Sequence, residues 1–241
     1  MVEFPKLDLL VIAAHRDDSE IVCGGTIIRM VDLGHKVGLL DLTAGESGSR
    51  GDAATRAAEA ENAAKVMGIH FRHNLKMPDA GLFLTQDNAL AVADIIRKTQ
   101  PEIVILPYTG WQRHPDHTTG GEIGYRGCFL AGLAKMPLEG QSHRPRKIFY
   151  SCSFQELSPT FVVDISDQFK RKCEAVACYK TQFEELEGKH EVYPPARNIF
   201  DFMEIQNRRL GYMIGKKYGE AFLQKEILAA DDLFKIPGKS I

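Results

Sequence analysis

No stretch of this chain approaches the ~20 consecutive apolar residues that a membrane-spanning helix requires. No CxxC pair occurs either. The five cysteines, at positions 23, 128, 152, 173 and 178, are odd in number and scattered. That speaks against a disulfide framework and for reduced thiols in a cytoplasmic protein. The opening MVEFPKLDLLVIAAHRDD lacks signal-peptide architecture, because its apolar run is short and ends in charges. A formal net charge of -2 over 241 residues offers no basic surface for nucleic acid or an anionic membrane. The GxGxxG fingerprint is missing too. The first strand-to-helix turn reads AHRDDSE, which leaves a pyrophosphate no glycine-lined approach and argues against a nicotinamide oxidoreductase. Gly24-Gly25 falls inside the following helix, where close helix–sheet packing explains it.

Strands alternating with helices fill the first half of the chain. Leu7 to Ala14 is a continuous apolar run, as expected of a strand buried on both faces of a parallel sheet. A helix follows from Asp17 to about Leu33, closed by Gly34. Lys36 to Leu42 reads as a strand, Thr43 to Gly51 as a glycine-rich loop, and Ala53 to Met67 as a helix stopped by Gly68. His70 to Leu75 is a strand, Asn88 to Gln100 a helix, and Glu102 to Pro107 another buried strand. This spacing predicts a doubly wound, mostly parallel α/β sheet with helices on both faces. Beyond residue ~145 the pattern loosens. Strands are expected at Ile148 to Phe154 and Thr160 to Ile165, and helices at Ser166 to Tyr179 and Asn198 to Tyr218, with a tail after. Thr181 to Arg197 reads as a long loop, either a lid or an oligomer contact. With neither a repeat nor a low-complexity linker, residues 1–241 read as one domain, with a core over 7–135 and a C-terminal part over 145–241.

Two clusters carry the chemistry: His15-Arg16-Asp17-Asp18 and His114-Pro115-Asp116-His117. Each alone reads equally well as a capped helix start, since Asp after a strand caps and complements the helix dipole. Both fall at the carboxyl ends of buried strands, where open α/β sheets gather their ligands. Together they favour a site. His15 and Asp18 with His117 make the best ligand set, because three protein ligands leave a divalent metal an open position. Imidazole and carboxylate suit zinc, with iron or manganese able to substitute. Asp17 is then free as a base, His114 sits beside the metal, and Asp116 is a partner for an imidazole N–H. His35, His70, His73, His143 and His190 lack a motif and read as surface or satisfied histidines.

AHRDDSE resembles the AHxDDxE signature of the LmbE/PIG-L family of zinc-dependent N-acetylglucosamine deacetylases, and RHPDH resembles its second metal motif. LTAGESGSRG, Arg56 with Glu59, NLKMPDAGL, VVDIS and YKTQF extend the similarity over most of residues 7–225. DLT, the MPDAG turn and the late Tyr218-Gly219-Glu220-Ala221-Phe222 are most similar to the bacillithiol-pathway branch, the N-acetylglucosaminyl-malate deacetylases. Arg16 departs from the Pro or Ala common at its position. It either points to solvent or joins an anionic substrate pocket.

The resemblance implies hydrolysis of an acetamide on glucosamine, with zinc supplying Lewis acidity and a water that ionises near neutral pH. Asp17 is expected to move the proton and a protonated His114, oriented by Asp116, to stabilise the oxyanion. Glu46, Arg56 and Asp79 are expected at the sugar hydroxyls, and Arg113 at an anionic aglycone such as malate. The competing roles are an i,i+3 pair with Glu59 for Arg56 and a plain surface charge for Arg113. A homo-oligomer is also implied. The rival readings are a deacetylase for chitobiose, an inositol glycoside or an antibiotic precursor, and a sugar-binding or metal-storing protein.

Overall fold

The computed structural model describes residues 4–48, 50–110, 112–152, 158–184 and 198–235. Seven strands form one sheet in the order β3-β2-β1-β4-β5-β7-β6. β1 is Leu9–Ala13, β2 Val37–Thr43, β3 Phe71–Met77, β4 Ile103–Pro107, β5 Lys147–Ser151, β6 Phe161–Asp164 and β7 Gly219–Leu223. The first five pair in parallel. β7 runs antiparallel to both of its neighbours.

Successive side chains of a strand face opposite ways, and here both faces are covered. Leu10 and Ile12 of β1 share one apolar core with Leu40 and Leu42 of β2 and Val104 and Leu106 of β4. Helices α3 (Gln86–Thr99) and α4 (Pro115–Ala131) close that face. Leu9, Val11, Leu39 and Ile105 point the other way, into a core closed by α1 (Asp18–Asp32), α2 (Ala53–Met67) and α5 (Phe169–Val176). The apolar runs therefore read correctly as strands buried on both sides. α4 lies tight on the sheet: a Cβ at Gly124 would come within 2.5 Å of Leu106 Cδ2.

α1 is two helices joined at Cys23, whose φ of -144° and ψ of 20° break the helical path. The break frees backbone donors, and the Glu220 carboxylate takes them, from Gly25 N at 3.0 Å and Thr26 N at 2.6 Å. Lys172 Nζ, on α5, meets the same carboxylate at 2.7 Å and Asn207 Oδ1 at 3.1 Å. Lys172 and Glu220 are fully buried. Gly25 is required by close approach, since a Cβ there would lie 2.6 Å from Ile165 Cδ1. Its neighbour is the segment after β6, and not the sheet as expected.

The C-terminal part departs further from the expected elements. Of the expected loop, Thr181 to Phe183 belong to a short helix α6 (Lys180–Phe183), and 185–197 lie outside the described residues, as does His190. The helix expected to reach Tyr218 is α7 (Ile199–Met213), and it ends before Gly215, which has a φ of +68°. Left-handed backbone is easy for glycine and ends helices. The segment after it is β7, inserted between β5 and β6. No described helix is long and apolar enough to cross a membrane.

Candidate metal centre

In a sheet of this order the chain leaves β1 and β4 toward opposite sides, and the crevice between their carboxyl ends is where ligands bind. Both clusters sit there. Ala14 O accepts from Thr43 N and Thr43 Oγ1, each at 3.0 Å, tying the ends of β1 and β2 together. His15 N donates to Asp18 Oδ2 at 2.9 Å, which closes the turn into α1. Between them the Arg16 carbonyl accepts from Arg72 Nη2 and from the Tyr179 hydroxyl. Arg72 is itself held by Asp41 at 2.8 and 3.0 Å and by Glu20 at 2.7 Å. A buried ionic network thus sets the path of the loop. The Arg16 side chain turns inward rather than to solvent. It is 8% exposed, and its Nη1 donates to Ala53 O at 2.7 Å and Ala44 O at 3.4 Å.

The structure brings His15, Asp18 and His117 together, their donor atoms within 4.8 Å of one another. Asp18 lies between the two imidazoles, with Oδ2 3.3 Å from His15 Nδ1 and Oδ1 3.1 Å from His117 Nε2. A second grouping, His15 with His114 and Asp116, shares the first imidazole. Burial opposes a charge on His15, yet Asp18, Asp116 and Asp79 raise its imidazole to about 12. Three carboxylates converging on one buried ring favour a cation there. Two imidazole nitrogens and a carboxylate oxygen are also the donor set of a borderline divalent ion, so the residues fit a metal.

Asp17 heads α1 without capping it by its side chain. Its Oδ1 lies 3.4 Å from Arg56 Nη2. Burial pushes its carboxyl up, Arg56 pulls it down and the Asp18 charge pushes it up again; the net direction is upward. Arg56 is buried, and its Nη1 donates to Gly45 O at 3.1 Å. It makes no helix-face pair with Glu59, whose oxygens accept from Thr181 N and Oγ1, both at 2.8 Å.

His114 caps α4, its Nδ1 accepting from Asp116 N at 3.3 Å. That leaves the ring proton on Nε2. Burial and the neighbouring His15 and His117 hold this imidazole below its ordinary value. The contact of Asp116 with this ring is made by its backbone N–H. The Asp116 carboxylate turns elsewhere, with Oδ2 3.6 Å from His15 Nε2 and Oδ1 accepting from Leu82 N at 3.4 Å.

Asp79 stands against the His15 ring. Its side chain is 6% exposed, with Oδ1 3.0 Å from His15 Nε2 and Oδ2 accepting from Ser47 N at 2.9 Å. The contact with His15 holds its carboxyl down at about 2. Glu46 is exposed and accepts from Asp79 N at 2.8 Å, which binds the two loops to each other. Arg113, directly before His114 in the chain, is exposed. The sequence reading missed Arg72 and Tyr179: neither stands in a chemical motif, and only the fold delivers them to the Arg16 carbonyl.

The family model described as "PIG-L: GlcNAc-PI de-N-acetylase" matches residues 10–127, which include both clusters. The diacetylchitobiose deacetylase of Thermococcus kodakarensis is 28% identical over 227 residues, covering 90% of this chain and 80% of that protein. A probable N-acetyl-alpha-D-glucosaminyl L-malate deacetylase 2 from Bacillus anthracis is 25% identical over 193 residues, 73% of this chain and 81% of its own length. Among solved structures, the conserved protein TT1542 from Thermus thermophilus superposes with a TM-score of 0.84 at 35% identity, covering 93% of this chain and 98% of that one. With the sheet order, the paired clusters and these matches in agreement, the chain belongs to the PIG-L/LmbE family of deacetylases.

Proposed function

We propose that this chain hydrolyses the acetamide of an N-acetylglucosaminide, releasing acetate and a free amine, with one zinc ion held by His15, Asp18 and His117. The observation that carries the reading is the meeting of those three donors, with Asp17 adjacent to Asp18 in the chain and the His114 ring 4.7 Å from that of His15. A bound divalent metal supplies Lewis acidity and a water that ionises near neutral pH. Asp17, its carboxyl raised by burial, accepts the proton from the attacking water and returns it to the leaving nitrogen as the C–N bond breaks. His114, its proton on Nε2, donates to the developing oxyanion. Arg56 holds Asp17 in place, and Asp79 and Asp116 fix the His15 ring.

The aglycone is the finer question. Exposed Arg113, next to His114 in the chain, suits the carboxylates of a malate glycoside, because its planar fork pairs them bidentately. The long match to the Thermococcus protein favours N,N'-diacetylchitobiose as a second reading. Acetate release from N-acetylglucosaminyl-malate, N,N'-diacetylchitobiose and plain N-acetylglucosamine separates them. On the malate reading, Arg113→Ala lowers turnover of the malate glycoside at least about tenfold more than that of the plain sugar, the value of one charged contact. Equal loss on both removes the malate role. All five cysteines are unpaired, which supports a cytoplasmic setting. A homo-oligomer is supported by apolar side chains left outside, Tyr212 and Phe234 among them.

A further inference from the structure

Tyr179 to Phe183, YKTQF in sequence, has no part in the chemistry proposed above, yet three of its residues reach into the frame of the metal centre. Tyr179 is fully buried at the head of α6, its ring packed in the core shared by α1, α2 and α5. Its hydroxyl donates to the Arg16 carbonyl and stands 2.7 Å from Glu20 Oε1. Two residues on, Thr181 donates to both Glu59 oxygens on α2, through N and Oγ1, each at 2.8 Å. Gln182 Nε2 donates to Arg50 O, on the loop before α2, at 2.8 Å.

These contacts converge on Asp17 from two directions. A peptide unit is planar, so the Arg16 carbonyl and the Asp17 N–H turn together. Fixing the carbonyl fixes where the Asp17 side chain leaves the loop, and the same peptide stands between His15 and Asp18. Among the described residues the side-chain donors to that carbonyl are Tyr179 and Arg72. Arg72 is already divided among Asp41, Glu20 and the Ala60 carbonyl. Without the hydroxyl it alone would answer all four acceptors. From the other direction, α2 carries Arg56, whose Nη2 lies 3.4 Å from Asp17 Oδ1, and Thr181 grips that helix at Glu59. A hydroxyl in a core costs free energy unless its partners meet it, and a phenylalanine ring would fill the same space. We infer that Tyr179 is a positioning residue. Resting on the proposed metal centre and the proposed role of Asp17, its hydroxyl fixes the peptide between residues 16 and 17, so that His15, Asp17 and Asp18 keep their mutual geometry.

The test is Tyr179→Phe, which keeps the ring and removes only the hydroxyl. Three quantities are read on the full chain: zinc affinity by titration against a competing chelator, kcat and KM at saturating zinc, and stability in denaturant. The substrate is whichever of the three sugars named above the wild-type protein deacetylates. Zinc affinity is expected to fall about tenfold or more, the usual cost of losing an outer partner of a ligand set. At saturating zinc kcat is expected to fall at least about tenfold with KM held, because a misplaced base costs rate and not binding. Should Tyr179→Phe not fold, Thr181→Val reads the other direction: kcat falls about tenfold while zinc affinity stays, since α2 carries no ligand. Zinc affinity or kcat unchanged in folded Tyr179→Phe, with only stability lowered, makes Tyr179 a packing residue and overturns the inference while leaving the deacetylase reading intact. Unchanged kcat in Thr181→Val overturns it likewise. A wild-type protein that binds no zinc and releases no acetate overturns the deacetylase reading, and the inference falls with it.

Discussion

His15 does two jobs through its two nitrogens. Nδ1 faces Asp18 in the ligand set, and Nε2 faces Asp79 and Asp116. Carboxylates behind a ligand imidazole orient the ring and raise its basicity, and losing one typically costs about 10–100-fold in metal affinity. Asp79→Asn is therefore expected to weaken zinc binding by about tenfold or more, read by titration against a competing chelator. Unchanged affinity with a raised KM would return Asp79 to the sugar. His117→Ala is expected to lose the metal and the activity together. His114→Ala keeps its metal and loses roughly a hundredfold in kcat, the usual cost of one oxyanion donor; metal analysis beside initial rates checks both. Equal zinc loss in the two variants would show the ligand is misassigned. The meeting of His15, Asp18 and His117 was legible in sequence because each stands in a short motif at the end of a buried strand. The tautomer of His114 and the place of Asp79 were not. Both depend on which backbone donor or ring nitrogen a side chain meets, and no spacing encodes that.

At the scale of elements, the break in α1 explains the late Tyr218-Gly219-Glu220-Ala221-Phe222 run. Read as chain, a short segment with a charge at its centre looks like a tail beyond a helix. In the fold it is β7, and the charge is the cap of the second half of α1. Glu220 can sit in the core only because Lys172, Gly25 N and Thr26 N meet it there. Breaking a buried ion pair from one side leaves an uncompensated charge, at about 3–5 kcal/mol. Glu220→Gln is expected to lower unfolding stability by that order, measured in denaturant. A loss below about 1 kcal/mol, the range of an exposed pair, would mean the pair is solvated. The elements built on apolar periodicity, β1, β2 and β4 above all, were readable because burial on both faces leaves an uninterrupted hydrophobic run. β7 was not, because its fitness as a strand lies in partners 48 and 195 residues away.

At the scale of the molecule, the order β3-β2-β1-β4-β5 puts the reversal of strand order between β1 and β4, and both clusters follow those strands. The sheet supplies the meeting point, and the loops supply the chemistry. That division makes one claim carry the rest: a single divalent ion, held by His15, Asp18 and His117, is required for hydrolysis. The direct measurement is acetate release from an N-acetylglucosaminide by the protein as isolated, after chelation and dialysis, and after zinc is returned, with metal content determined at each stage. The account predicts one ion per chain, loss of acetate release with the metal, and recovery at one equivalent. Full activity in protein shown to be metal-free would contradict it.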